Sequence, residues 1–292
     1  NATLVDDNGN WIYDQGIIFT VNNVDVDGIV YDDATGLYTA TFALTGERLY
    51  NVSITKYDEQ YISIGILRNI TGTFTELQNL VDTGFVMLDH NFTYDSVIDG
   101  EKFINGVVID KYTSIFNIGE NVVIDGNNQA RIFNITGDSI VMLGDDVTLA
   151  NGNASKGGAI YVEDGSTLIA NKINFINNTA NEGGAIYADG DVNLDNSVFD
   201  NNTAANVNGI YVTKNGIKSF VSNSNFTGDD FIYNEGELSL TNNKELTAEG
   251  NGYSVTNYGT LSLEGNEFNS TIFNDGEILA DRKSGSAGMP RP

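Results

Sequence analysis

The chain has 292 residues, 40% of them hydrophobic, enough for a continuous core, so a globally disordered chain is excluded despite a formal charge of −26. Fourteen Lys and Arg against forty Asp and Glu argue against nucleic acid or an anionic membrane surface as a partner, since both attract basic patches, and direct membrane insertion is not expected. Cysteine is absent, which removes disulfides and thiolate metal sites, and no apolar run approaches the ~18 residues of a spanning helix.

Residues 1–72 alternate short apolar strands with turns: Gly16–Val21, Gly28–Tyr31, Leu37–Ala43, Leu49–Thr55 and Tyr61–Ile66, separated by Asp6-Asp-Asn-Gly-Asn10 and Asp32-Asp-Ala-Thr-Gly36. This spacing predicts a small β-sandwich. Its acidic turns offer hard oxygen ligands, so Asp6, Asp25 and Asp27, beside Asp32 and Asp33, are candidate calcium ligands. The same residue types are also ordinary hairpin residues, and no EF-hand loop is present. Lys56, the first lysine of the chain, is expected at a strand end.

Phe74-Thr-Glu-Leu-Gln-Asn-Leu-Val81 places apolar residues at i, i+3, i+6 and i+7, the one helical stripe in the chain. A short amphipathic helix ahead of a solenoid is expected to cap its first coil. Coils then begin, irregularly, at Phe85–Leu88, Gly106–Ile109, Ser114–Ile118, Val122–Ile124, Arg131–Ile135 and Ile140–Leu143. Three copies of one pattern follow without a gap: Leu149-Ala-Asn-Gly-Asn-Ala-Ser-Lys-Gly-Gly-Ala-Ile-Tyr161, Phe175-Ile-Asn-Asn-Thr-Ala-Asn-Glu-Gly-Gly-Ala-Ile-Tyr187 and Phe199-Asp-Asn-Asn-Thr-Ala-Ala-Asn-Val-Asn-Gly-Ile-Tyr211. A period of this size, with β segments and Gly/Asn turns, predicts coils of a right-handed parallel β-helix, and the leucine-rich-repeat frame is absent. Asn234, Asn257 and Asn274 open a later Asn-x-Gly-x-apolar frame that carries the solenoid to about residue 280. Residues 281–292, with both prolines, read as a linker or appended tail, and the first residue, Asn1 rather than Met, suggests a processed or excised piece of a longer chain.

Two motif sets resemble known families. Thr3–Asn10, Ile18–Val21 and Gly36–Phe42 are similar to the bacterial immunoglobulin-like domains of surface proteins, with Trp11 where those domains often carry proline. Residues 74–280, with Gly-Gly-Ala-Ile-Tyr coils, Phe-x-Asn-Asn-Thr-Ala turns and the Val123-Ile-Asp-Gly-Asn127 segment, resemble the adhesin-like surface proteins of methanogenic archaea. The coil motif is similar also to those of polymorphic outer-membrane proteins and pectate-lyase-like β-helices. The resemblance implies an all-β protein of the cell surface or cell wall that attaches to glycans or proteins of other cells. Domain boundaries on this reading are 1–72 for an immunoglobulin-like sandwich and 73–280 for a capped β-helix.

Two other functions share the fold. A polysaccharide lyase or hydrolase needs carboxylates converging on one groove; the adjacent acidic pairs Asp145-Asp146, Glu163-Asp164 and Asp229-Asp230 are expected to be solvated turns instead. Arg131 is expected to be a surface residue neutralising acidic neighbours, and His90, the one histidine, a turn residue. No residue is therefore assigned as a catalyst and no cofactor is required, calcium aside. A purely structural stalk is the remaining alternative.

The candidate binding residues are Tyr161, Tyr187, Tyr211 and Tyr233, which recur in phase. Strand side chains alternate faces, so if Ile160, Ile186 and Ile210 line the core, these tyrosines form an outward stripe fit for a glycan or protein partner. Asn177-Asn178 and Asn201-Asn202 fall at matching turns, where their amides are expected to stack as a ladder. Asn-x-Ser/Thr acceptor sequences occur at Asn1, Asn51, Asn69, Asn91, Asn134, Asn153, Asn177, Asn201, Asn225 and Asn269, a mild excess over chance that fits an exported glycoprotein.

Overall fold

The computed structural model describes residues 2–3, 17–21, 24–26, 28–39, 49–56, 59–67, 71–118, 121–228, 230–247 and 252–280. The chain divides into two compact units, Asn1–Ile70 and Thr71–Pro292.

In the first unit the alternating segments pair antiparallel. Leu37–Thr39 lies between Ala2–Thr3 and Val30–Asp32, while Ile17–Val21, Val24–Asp25, Leu49–Lys56 and Glu59–Leu67 form a four-stranded sheet. Phe19 and Tyr38 are its buried apolar residues among those described, with Val26, Ile29 and Tyr31 packed against them. The Asp32–Gly36 turn is closed by its own acid: Asp32 Oδ1 accepts from Ala34 N–H at 2.9 Å and Oδ2 from the Thr35 hydroxyl at 2.7 Å. That Thr35 bond, with the backbone bonds, holds the Asp32 carboxyl below the ordinary value. Asp32 and Asp33 are exposed here.

The second unit opens with the helix Phe74–Val81. Its start follows from a capping box, in which Thr73 accepts from Glu76 N–H and Glu76 accepts from Thr73 N–H. Buried Asp99 adds a carboxylate at this positive end, accepting from the backbone N–H of Phe74 at 3.1 Å and Thr75 at 2.7 Å. Phe74, Leu77 and Val81 join the same buried cluster as the solenoid's first strands. Leu80, expected in the stripe, stays 37% exposed, because i+6 lies well off the i, i+3, i+7 face at 3.6 residues per turn.

From Phe85 onward the strands pair parallel with the preceding and following coils, making a β-solenoid. One face is an eight-stranded sheet containing Val107–Ile109, Phe133–Ile135, Ile160–Val162, Ile186–Ala188, Ile210–Val212, Ile232–Asn234, Tyr253–Asn257 and Thr271–Asn274. The fourteen-stranded sheet turns a corner: within Thr167–Ile176, residues 167–171 pair with Asp191–Asp195 and residues 174–176 with Val198–Asp200. Lys172 (φ 55°), Asn196 (φ 50°), Asn223 (φ 49°) and Asn242 (φ 54°) occupy that corner in successive coils, and Asn151 (φ 53°), Asn177 (φ 55°) and Asn201 (φ 52°) the next one. Asparagine tolerates this left-handed backbone better than most residues, which explains its recurrence.

The three sequence copies lie in register, with Tyr161, Tyr187 and Tyr211 paired in succession and Phe175 opposite Phe199. Inside, Phe175, Phe199, Phe226 and Phe231 stack at centroid spacings of 4.6, 4.7 and 4.5 Å. The segment Phe92–Thr93 is a further strand that the apolar pattern had not marked.

Candidate functional site

The outward face of the eight-stranded sheet carries the tyrosines. Ile160, Ile186, Ile210 and Ile232 are all core residues, so alternation turns Tyr161, Tyr187, Tyr211 and Tyr233 outward. Their rings stack in a column at 5.8, 4.9 and 4.4 Å between centroids, with planes 12°, 22° and 25° apart. This geometry changes what the column offers. Ring faces cover one another, and Tyr187 is only 5% exposed, so a sugar cannot lie flat on these faces; what reaches solvent is a row of ring edges and phenol hydroxyls.

Each hydroxyl has a charged partner. Tyr161 donates to Asp189 Oδ2 at 2.6 Å, Tyr233 to Glu235 Oε1 at 3.2 Å and Tyr211 to the same oxygen at 3.5 Å. Lys156 Nζ donates to the Tyr187 hydroxyl at 2.8 Å, stands 4.2 Å from that ring's centroid and 3.5 Å from Glu182. Its pKa is raised, chiefly by the Tyr187 bond.

Burial raises the pKa of all four phenols, and for Tyr161 the bond to Asp189 adds to it. A phenol whose folded pKa exceeds its unfolded value contributes stability that is complete below the unfolded pKa, 10.0, and is lost as pH rises above it. Arg131, lowered to about 10 by burial, acts with the opposite sign but is one group against four. The melting temperature is therefore expected to fall steeply once pH passes about 10, with phenolate absorbance from the column appearing together with unfolding. A flat melting temperature from about pH 10 to 11 would count against the column as a stabilising unit.

Arg131 differs from the expectation. It is 7% exposed and pairs with no carboxylate among the described residues; its Nη2 donates to Lys156 O at 2.7 Å, Nε to Gly157 O at 3.0 Å and Nη1 to Asn105 O at 3.1 Å. The guanidinium lies 5.3 Å from the Tyr161 ring centroid. A planar five-donor fork can tie adjoining coils through their carbonyls at once, which explains arginine at a buried corner. His90 shares a short contact with Asp89, Nδ1 to Oδ1 2.6 Å, and packs on Phe92.

The amide ladder forms from one residue of each Asn pair. Asn178 Oδ1 accepts from Gly152 N–H at 2.8 Å, and its Nδ2 donates to Leu149 O at 3.0 Å and Asn202 Oδ1 at 2.9 Å. Asn177 and Asn201 point out at the left-handed corner and are exposed. Two further ladders were not anticipated: Asn234 to Asn257 to Asn274, at 2.7 and 2.6 Å, and Asn243 to Asn266 at 3.0 Å. The recurring Asn-x-Gly frame was the available signal for the first of these. Glu245 was also missed. This buried carboxylate accepts from the hydroxyls of Ser254 and Ser270 and the backbone N–H of Asn269 and Ser270, at 2.6–2.9 Å.

Of the acceptor sequences, Asn153, Asn177 and Asn201 are exposed and Asn91, Asn134 and Asn225 half-buried. The exposed Asn269 already donates its amide to Glu245 O at 2.9 Å. Asn1 and Asn69, and the side chain of Asn51, lie outside the described residues. So do Asp6 and Asp27; Asp25 is an exposed strand residue, and among the described residues no three His, Asp or Glu side chains gather as a metal site. Among the acidic pairs, Asp146, Glu163 and Asp164 are exposed, and Asp230 Oδ1 accepts from Tyr253 N–H at 2.9 Å. A second outward face, on the larger sheet, exposes Phe85, Met87, Ile140 and Ile169.

Residues 172–189 match the Chlamydia polymorphic membrane protein repeat. The match covers the second sequence copy, from the Lys172 corner through Asn178 to Tyr187. No curated protein and no solved structure matches the chain significantly. The repeat and the solenoid together fit a parallel β-helix surface protein.

Proposed function

We propose that this chain is the attachment-bearing part of an adhesin-like protein of the cell surface or cell wall, which binds glycans or proteins of other cells through the outward faces of a stiff β-helix. The observation that carries the reading is the polymorphic membrane protein repeat falling on the coil that holds both the tyrosine column and the amide ladder. Internal ladders of Phe and Asn and an outward column of Tyr make a rod that keeps its shape under load, and a regular array of weak outward contacts gains strength by multiplicity. The finer parts of the reading are also proposals. The solenoid winds right-handed, as parallel crossovers overwhelmingly do, and Phe74–Val81 closes its first coil to water. The antiparallel sheets of residues 1–70 form an immunoglobulin-like sandwich, the protein resembles the adhesins of methanogenic archaea, and sugars attach at the exposed Asn153, Asn177 and Asn201. It is not an enzyme, and calcium, if bound, sits in the first unit at Asp6, Asp25 and Asp27.

The test is a whole-cell and glycan-array binding screen of the chain, with and without chelator, run beside a polysaccharide-degradation assay. Specific binding without product is the expected result, and loss on chelation would assign calcium a part in it. Released oligosaccharides would replace this reading with a carbohydrate-active enzyme, and neither binding nor product would leave a structural stalk.

A further inference from the structure

The outward column changes character after Tyr233. In the next two strands of that sheet, Thr256 and then Phe273 stand in register with it. One ring is thus missing from the ladder. Tyr233 and Phe273 are two strands apart, about 9.6 Å for strands spaced ~4.8 Å, too far for them to cover one another. Tyr258, from the turn after Thr256, lies beside the gap with its centroid 5.5 Å from Tyr233 and 5.7 Å from Phe273, tilted 43° and 53° to them. Tyr253, from the opposite end of the same strand, is 5.4 Å from Phe273 and tilted 51°. Tilted rings leave faces open. Tyr253 and Tyr258 are 41% and 47% exposed, against 5% for Tyr187 in the stacked part.

The charges around this opening are one-sided. Asn234, Asn257 and Asn274 are in register, so the residues that follow them, Glu235, Tyr258 and Asp275, occupy the same corner of successive coils, and Tyr258 lies between two carboxylates. At the other end of the column the chain supplies its own cations, Lys156 over Tyr187 and Arg131 over Tyr161. Among the described residues no Lys or Arg pairs with Glu235 or Asp275.

We infer that Tyr253, Tyr258 and Phe273, with Glu235 and Asp275, dock an arginine-bearing segment of a partner protein. The inference rests on the attachment reading and names the chemistry of its partner. A planar guanidinium stacks on an open tyrosine face while its N–H fork reaches carboxylates on either side, and the acidic surface draws in a basic partner from a distance. An amino sugar brings a single ammonium point charge in place of a planar fork that reaches both carboxylates, and an anionic or neutral glycan brings no cation to either of them.

The experiment is calorimetric titration of the whole chain with a synthetic Arg/Gly peptide, its uncharged citrulline analogue, a glucosamine oligomer and a neutral oligosaccharide. The arginine peptide binds, and more weakly as salt rises. Tyr258→Ala and Asp275→Asn each weaken it by about threefold or more, the scale of one exposed cation–π contact. Asp146→Asn removes the same charge from a different corner, where other coils carry Asn196, Asn223 and Asn242, and leaves binding unchanged. Equal binding of the citrulline peptide, tighter binding of either sugar, or unaltered affinity in both site variants would overturn the inference. If cells still attach to the chain while the arginine peptide does not bind, this inference fails and the attachment reading stands; if neither binds, both fail.

Discussion

Gly184→Ala is expected to destabilise the solenoid by about 3 kcal/mol or more, the larger end of the range for a buried steric clash. A Cβ on Gly184 would fall on the carbonyl oxygen of Asn208 and within 2.9 Å of Thr203 N. Both belong to the backbone of the next coil, so no side chain can swing aside, and relief requires the coils to part. Gly158 is placed the same way one coil earlier, against Gly184 O and Thr179. The second glycine of Gly-Gly-Ala-Ile-Tyr is therefore a close-approach residue, while the first, Gly183, also has φ +62°. Coils contact only their neighbours, so the loss should appear locally. Amide exchange accelerates around residues 179–209, and melting falls by roughly 6–12 °C at ~2–4 °C per kcal/mol. Gly228→Ala, whose added Cβ meets nothing within 4 Å, measures the left-handed backbone penalty alone, about 1 kcal/mol. Equal effects from the two substitutions would refute close packing as the cause.

The same comparison shows what was legible in the sequence. Copies that align without gaps must stack in register if they stack at all, so the Ile-Tyr strands and the opposite facing of isoleucine and tyrosine followed from alternation, while the burial of the isoleucines came from the packed core. The tilt and overlap of the rings did not follow. Those are set by the spacing of adjoining strands, and they turn an apparent sugar platform into a row of edges. Arg131 and Glu245 each occur in a single coil, with no second copy against which burial could be inferred, and long polar side chains are ordinarily exposed. Their satisfaction depends on carbonyls, amides and hydroxyls brought together from other coils, which no local pattern encodes. Within Asn177-Asn178, neither residue type nor spacing distinguishes inside from outside. The left-handed φ of Asn177 reverses the chain at that point and turns its neighbour inward.

That division predicts opposite outcomes for two adjacent asparagines. Asn178→Leu keeps the size of the side chain and removes its hydrogen bonds, leaving the Gly152 N–H without its acceptor and the Leu149 carbonyl without the amide that reaches it. Each buried group so abandoned costs about 1–3 kcal/mol, so a loss of about 3–5 kcal/mol is expected. Asn177→Gly keeps a residue that accepts φ 55° and removes an exposed side chain, so its effect should stay within about 0.5 kcal/mol. Urea unfolding followed by circular dichroism separates the two. The ladder also couples coils: with Asn178→Leu in place, Asn202→Leu should cost less than it does alone, because Asn202 Oδ1 has already lost the Asn178 side chain and retains only its backbone N–H at 3.0 Å. Strict additivity in that double-mutant cycle would mean that the amides act one by one, each tied to its own backbone carbonyl, and that the column transmits nothing along the rod.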